Sequence, residues 1–215
     1  MKRRDFIKTL PTIAAVPFSI IPIKAKPKSK HLIALGSSAS QLVAKYGQRL
    51  PFDSFTLIND CIPDFCDLSV DFIPFFPPDE AYFTWGERRF LKKEKLPDII
   101  LPNEIKSHLE AKEGDLVLFS TLGKATGSIL MKSIGDQYRN STQGLQVVAI
   151  MPFAFEGLNL SANAKHALES IHRRGIRTRV LELEAIRAKY GNLAIRSAFE
   201  KADEWVLGRL QGLEK

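Results

Sequence analysis

The sequence predicts an α/β domain of three layers, a Rossmann-like and mostly parallel sheet with helices on both faces. Three observations carry this expectation. Short aliphatic runs recur at 31–35, 54–58, 115–120, 145–150 and 176–183, each of strand length and most bounded by Gly, Ser, Asn or Asp. Segments with helical spacing of apolar residues stand between most of them, and such crossovers connect parallel rather than antiparallel strands. HLIAL is a short aliphatic run and DLVLFS reads as a buried strand, as expected of strands covered on both sides.

Taken in chain order, HLIAL (31–35) predicts the first strand, SASQLVAKYGQRL (38–50) a helix and SFTLI (54–58) a second strand. The stretch 61–101 is rich in Pro and aromatics and then basic, so it predicts a long connection holding one edge strand near Ser69–Ile73. A helix follows at 103–112 with Asn103 as its cap, then a buried strand at 115–120 and a helix from Ala125 to Arg139. LQVVAI (145–150) predicts a strand, 161–174 a helix, 176–183 a strand and 194–213 a long helix.

The 215 residues, 45% of them hydrophobic, allow one domain of ordinary size plus a tail. The net charge of +7 sits in the first thirty residues, which hold eight bases and one acid; from His31 onward 23 bases meet 23 acids. A balanced body has no basic stripe to meet phosphates, so nucleic acid is not expected as a partner. Residues 1–30 run from a basic start through an apolar stretch, Thr9–Ile23, too short to span a bilayer comfortably. Arg3-Arg4-Asp5-Phe6-Ile7-Lys8 resembles a twin-arginine export signal, which predicts an exported or membrane-associated protein; the alternative is an uncleaved anchor on the cytoplasmic side. Cys61 and Cys66 could form a disulfide in an oxidising compartment or stay reduced. No metal site is expected, because no histidine or second cysteine pair lies near them.

In an open parallel sheet, ligands bind beyond the carboxyl ends of the strands, where loops lead into helix N-termini. Those loops are Gly36-Ser37-Ser38-Ala39-Ser40, Asn59-Asp60, Thr121-Leu122-Gly123-Lys124-Ala125-Thr126-Gly127 and Met151–Gly157. Two of them are small-residue loops opening helices, suited to cradling phosphate with backbone N–H groups. Neither matches the Walker or G-x-G-x-x-G pattern.

The order of these pieces resembles the FtsZ and tubulin superfamily, in particular the nucleotide-binding half of FtsZ, from about His31 to the C-terminus. Gly36, Ser37 and Ser38, with Gln41 in the place of an asparagine, are similar to the first glycine loop. Asn59 stands where an Asn follows the second strand. Gly123, Thr126 and Gly127, with Lys124 and Ala125 between them, resemble the G-G-G-T-G-T-G phosphate loop. Pro152, Phe153, Phe155, Glu156 and Gly157 reproduce the Pro-Phe-x-Phe-Glu-Gly motif, whose glutamate the resemblance makes a ribose acceptor; the family's partner arginine falls on Leu160. Phe199 corresponds to an aromatic packing on guanine and Asp203 to the residue reading its edge. Four residues apart, the two share one helix face.

The resemblance implies GTP or GDP as ligand and self-association, or pairing with another FtsZ-like protein. It also implies little or no hydrolysis by this chain alone, because the family's acidic loop and second domain would lie past Lys215. Two other functions remain open. One is an interaction module that kept the fold and lost the nucleotide. The other is an exported hydrolase using Ser37 or Ser38 with His31, His108, His166 or His172, although no G-x-S-x-G elbow is present.

Overall fold

The computed structural model describes residues 28–64, 68–85, 88–91, 96–141 and 144–214; the leader's signal-like motif and Cys66 lie outside them. The elements are β1 (Lys30–Leu35), α1 (Ser37–Tyr46), β2 (Ser54–Asn59), β3 (Asp71–Pro74), β4 (Tyr82–Trp85), β5 (Arg88–Leu91), α2 (Asn103–Glu110), β6 (Asp115–Thr121), α3 (Ala125–Tyr138), β7 (Leu145–Met151), α4 (Leu158–Arg173), β8 (Thr178–Glu182), α5 (Glu184–Tyr190) and α6 (Ile195–Gln211). Six strands form one sheet in the order β3-β2-β1-β6-β7-β8. Every neighbouring pair in it is parallel.

Strand alternation divides the apolar residues between two cores. Ile33 and Leu35 of β1, Leu116 and Leu118 of β6, and Val147 and Ala149 of β7 face α2, α3 and α4, meeting Ile105, Leu109, Ile129, Ile134, Ala164 and Ile171. Leu32 and Ala34, Val117 and Phe119, and Val148 and Ile150 face the other way, onto Leu42 and Val43 of α1 and Ala198, Ala202 and Val206 of α6. The central strands are therefore buried on both sides, which is why they read as unbroken apolar runs. Among the described residues no helix is long and apolar enough to cross a membrane.

The structure corrects the sequence reading in four places. The 61–101 stretch holds the expected edge strand, β3, and also an antiparallel hairpin, β4–β5, outside the main sheet. With two arginines opening β5, the hairpin lacks the apolar alternation that marks a half-buried strand. Asn103 is the first helical residue of α2, and Pro102 occupies the cap position with no side-chain bond. Helix α4 starts at Leu158 rather than 161, immediately after Gly157 at φ 124°. The seven-residue helix α5 is too short to show a period and is ended by Gly191 at φ 74°.

At the base of the α2 face the sheet carries polar groups instead of aliphatic ones. His31 and Ser54 are opposite each other in the β1–β2 register, with Nδ1 and Oγ 2.7 Å apart. The Nε2 of His31 lies 2.8 Å from the Glu113 carbonyl, which only accepts, so Nε2 holds the proton and Nδ1 accepts from the serine hydroxyl. Lys112 pairs with Asp71 at 2.7 Å, and His108 Nε2 lies 2.8 Å from Thr56 Oγ1 and 3.6 Å from Asp71. Burial, with the Lys112 ammonium beside it, holds the His108 pKa below its ordinary 6.5. Hydrogen bonding and charge from Lys112 likewise lower Asp71.

A histidine with a depressed folded pKa binds fewer protons than it does in the unfolded chain. Its stabilising contribution is complete above about pH 6.5 and is lost as pH falls toward the folded value. Thermal melts should therefore show the wild type losing Tm between neutral pH and about pH 5, the range in which histidines titrate. The His108→Gln variant should start lower, by about 1 kcal/mol for the altered bond to Thr56, and fall less steeply across that range.

Candidate functional site

The strand order reverses between β1 and β6, since the chain winds outward from β1 through β2 to β3 and from β6 through β7 to β8. Loops leaving the carboxyl ends of β1 and β6 diverge to opposite faces there and leave a mouth between them, the usual ligand position in such sheets. Ser120 Oγ donates to the Leu35 carbonyl at 2.8 Å and ties the two strand ends together.

Two glycines set the spacing of the loops. Gly36 has φ 82°, and a Cβ there would lie 3.1 Å from the Gly127 nitrogen. Gly127, in the first turn of α3, approaches β6 so closely that a Cβ would lie 2.1 Å from Ser120 Oγ and 2.9 Å from the Leu35 carbonyl oxygen. These positions are glycine because the α3 N-terminus lies against the β1 and β6 ends, whatever else occupies the mouth. Lys124, just before α3, donates to Ser38 Oγ at 3.0 Å and so bridges the two loops with a positive charge. Ala125 and Thr126 follow it as buried residues at the helix start. Gly123, at φ 98°, gives its N–H to Ser128 Oγ at 3.0 Å.

Around this centre the other predicted residues have partners of their own. Ser37 donates to Asn59 Oδ1 at 3.4 Å, and Asn59 donates from Nδ2 to the Cys61 carbonyl at 2.9 Å. Asn59 is buried and organises the turn after β2; Gln41 is exposed on α1. Glu156 accepts from the backbone N–H of Phe153 at 2.9 Å, closing the short 3-10 turn Ala154–Glu156. The neighbouring Ala154 N–H goes to Glu184 of α5 at 2.6 Å. Leu160 is buried with its carbonyl and side chain against Gly123, where a Cβ would come within 2.6 Å of the Leu160 oxygen. The side chain in the arginine's place is thus a packing residue.

The aromatic residues of the motif meet the long helix. Phe153 is fully buried, Phe155 stacks on it at 4.7 Å, and Phe199 of α6 stands perpendicular to both with centroids 5.6 and 5.8 Å away. Phe199 keeps 39% of its surface exposed. Asp203, one turn further along α6, pairs with Lys45 at 3.7 Å. Burial raises its pKa, against the pull of Lys45 and a hydrogen bond from Tyr46.

The structure brings together Gly36, Ser38, Lys124 and Gly127 at the centre, with Ser37 and Asn59 beside them. It places Phe199 with the MPFAFEG loop and turns Asp203 toward the last turn of α1. Ser120, Ser128, Lys45, Tyr46 and Glu184 were not foreseen; serines that bond backbone across a turn carry no motif by which to find them. Two of the four histidines of the hydrolase reading are placed away from its serines. His31 and His108 lie at the other end of the strands, on Ser54 and Thr56, while Ser37 and Ser38 bond Asn59 and Lys124.

No protein-family profile and no curated protein matches the sequence. Solved structures do. The empty FtsZ dimer from M. jannaschii superposes on 88% of this chain with a TM-score of 0.65 at 15% identity. The GTPγS-bound protofilament of CetZ2 from Haloferax volcanii covers 86% at 0.61 and 16% identity. The GDP-bound phage tubulin PhuZ covers 86% at 0.54 and 15% identity. This chain spans only 55–57% of the length of those three. At such identities the likeness establishes the fold alone, that of the FtsZ/tubulin nucleotide-binding domain.

The close approach at the mouth has a measurable cost. Gly127→Ala should lower unfolding free energy in urea by about 1–3 kcal/mol, the usual penalty of overpacking, since the new methyl meets the Ser120 hydroxyl and the Leu35 carbonyl.

Proposed function

We propose that this chain is an FtsZ/tubulin-fold protein that binds guanine nucleotide at the mouth between β1 and β6 and does not hydrolyse it alone. The observation that carries the reading is the Lys124–Ser38 bridge between the Gly36–Ser38 and Gly123–Gly127 loops. It joins the N-termini of two full-length helices, α1 and α3, with an ammonium at a place where backbone N–H groups and helix dipoles already favour an anion. The neighbouring structures include GTPγS-bound and GDP-bound members, which supports the choice of ligand.

The residues fit a nucleotide unevenly. The phosphate end has two loops of small residues and a lysine. At the base end, the exposed part of Phe199 offers a ring to stack on, and Asp203 offers a carboxylate that guanine's adjacent N–H donors could satisfy once Lys45 swings aside. Within this reading Lys124 and Ser38 hold phosphate oxygens, Glu156 keeps the loop in shape and stands toward the ribose, and Phe199 excludes water from one face of the base. Without a water-positioning carboxylate from a neighbouring subunit, such a cradle binds phosphate and does not turn it over.

A second reading, an interaction module without nucleotide, has its own support. Glu156 and Asp203 already have partners, and the mouth is rimmed by exposed apolar side chains, with Leu158 85% and Ile195 65% exposed beside Phe155 and Phe199. Such a rim suits a second subunit, self or FtsZ-like.

Titration with a fluorescent GTP analogue separates the two. The first reading expects saturable binding, displaced by GTP and GDP and at least about tenfold less well by ATP, a difference of about 1.4 kcal/mol, with no phosphate release. Absence of saturable binding, or equal displacement by ATP, would leave the interaction module. The leader, read as a twin-arginine signal, is proposed to carry the folded protein out of the cytoplasm. A reporter active only outside the cytoplasm should lose its signal when Arg3→Lys and Arg4→Lys are combined, and unchanged export would refute that route.

A further inference from the structure

A concave site lies between the edge strand β8 and the C-terminal half of α6. Its cavity, about 360 Å³, is lined by Arg179, Val180, Leu181, Trp205, Gly208 and Arg209, with Gly212 at its end. Leu181 points into the core shared with α6, so Arg179, two residues away, lies on the same face and Val180 on the opposite one. What Val180 lends the cleft is therefore main chain. Among the described residues β8 ends the sheet, and the backbone groups on its outer side have no ladder to join there.

Charge and shape at this edge point to a partner. Arg179 and Arg209 form no ion pair among the described residues, and neither does Arg177, which continues the row. The guanidinium of Arg209 lies over the Trp205 ring at 5.3 Å from its centroid. Gly208 is inside the helix, where glycine costs about 1 kcal/mol relative to alanine. A Cβ there would meet nothing within 4 Å, so no contact within the described residues explains it. The space it leaves belongs to the cleft.

We propose that this edge binds an extended acidic segment of another polypeptide, added as a strand beside β8 with its carboxylates on Arg179 and Arg209. Main-chain bonding to an open edge supplies affinity in such complexes, and side-chain pockets supply selectivity; arginine holds carboxylates through paired N–H bonds. Charge excludes the two nearest alternatives. The protein's own leader, with eight bases and one acid, would bring like charge to the row. A second copy pairing β8 antiparallel with β8 about Thr178 would set Arg177 of one copy opposite Arg179 of the other, at both ends of the pair, which is destabilising.

The test is selection of random dodecapeptides displayed on phage against the full chain, followed by fluorescence anisotropy of the selected synthetic peptides. We expect Asp and Glu enriched at alternate positions with proline depleted, and slower amide exchange at Val180 in the complex. Arg179→Glu and Gly208→Leu should each weaken binding about tenfold or more, with thermal melts confirming that both variants are folded. Gly208→Leu fills the cleft at a position where the helix has room, so it tests the site without disturbing the core. Selection without acidic enrichment would overturn the proposal. So would acidic peptides that bind both variants as tightly as the wild type, because the leader's bases would then be their target.

Discussion

The fold turns on the contact between the ends of β1 and β6. The strand order reverses there, and the Ser120 hydroxyl bonds the Leu35 carbonyl at 2.8 Å while α3 presses Gly127 into the remaining space. No side chain larger than hydrogen fits at that position, so the α3 N-terminus is fixed against the sheet and Lys124 is carried to Ser38. The cradle of small residues that resembles a phosphate loop is thus required by packing before any ligand is considered. Packing explains the glycines, and the functional reading rests on the Lys124 ammonium that bridges the two loops at Ser38.

At the mouth the polar groups of the loops bond to one another. Glu156 caps its own turn, Glu184 takes the next N–H, Ser128 takes the N–H of Gly123, and Asp203 has found Lys45. Each of these contacts satisfies a group that would otherwise need water or a ligand. A nucleotide entering this site exchanges existing hydrogen bonds for new ones, and each exchange nets little. Affinity would then rest on the groups that gain most, Lys124 with the phosphates and Phe199 with the base.

The sheet was legible in the sequence because its central strands are buried on both faces. The runs at 32–35, 116–119 and 147–150 have no polar interruption, and burial leaves them little alternative. The α5 helix and the β4–β5 hairpin were not legible, being short and charged, so no period distinguishes them from a loop. At the site, Gly36, Gly123, Gly127 and Glu156 could be found because glycine conformation and motif order constrain the sequence. The hydroxyl partners Ser120 and Ser128 could not, since a serine that bonds backbone across space looks like any other serine. Leu160 was identified as the residue in the arginine's place, but only coordinates show that it packs on Gly123. The unpaired arginines of β8 are equally silent in the sequence, where acids stand close by.

The assignment of nucleotide to the β1–β6 mouth is tested most directly by amide chemical shifts of ¹⁵N-labelled protein titrated with GDP. The predicted result is saturable movement of the Gly36–Ser38 and Lys124–Gly127 amides together with those around Phe199, while β8 stays still. Shifts confined to other parts of the surface, or none at a GDP concentration in large excess over protein, would contradict it.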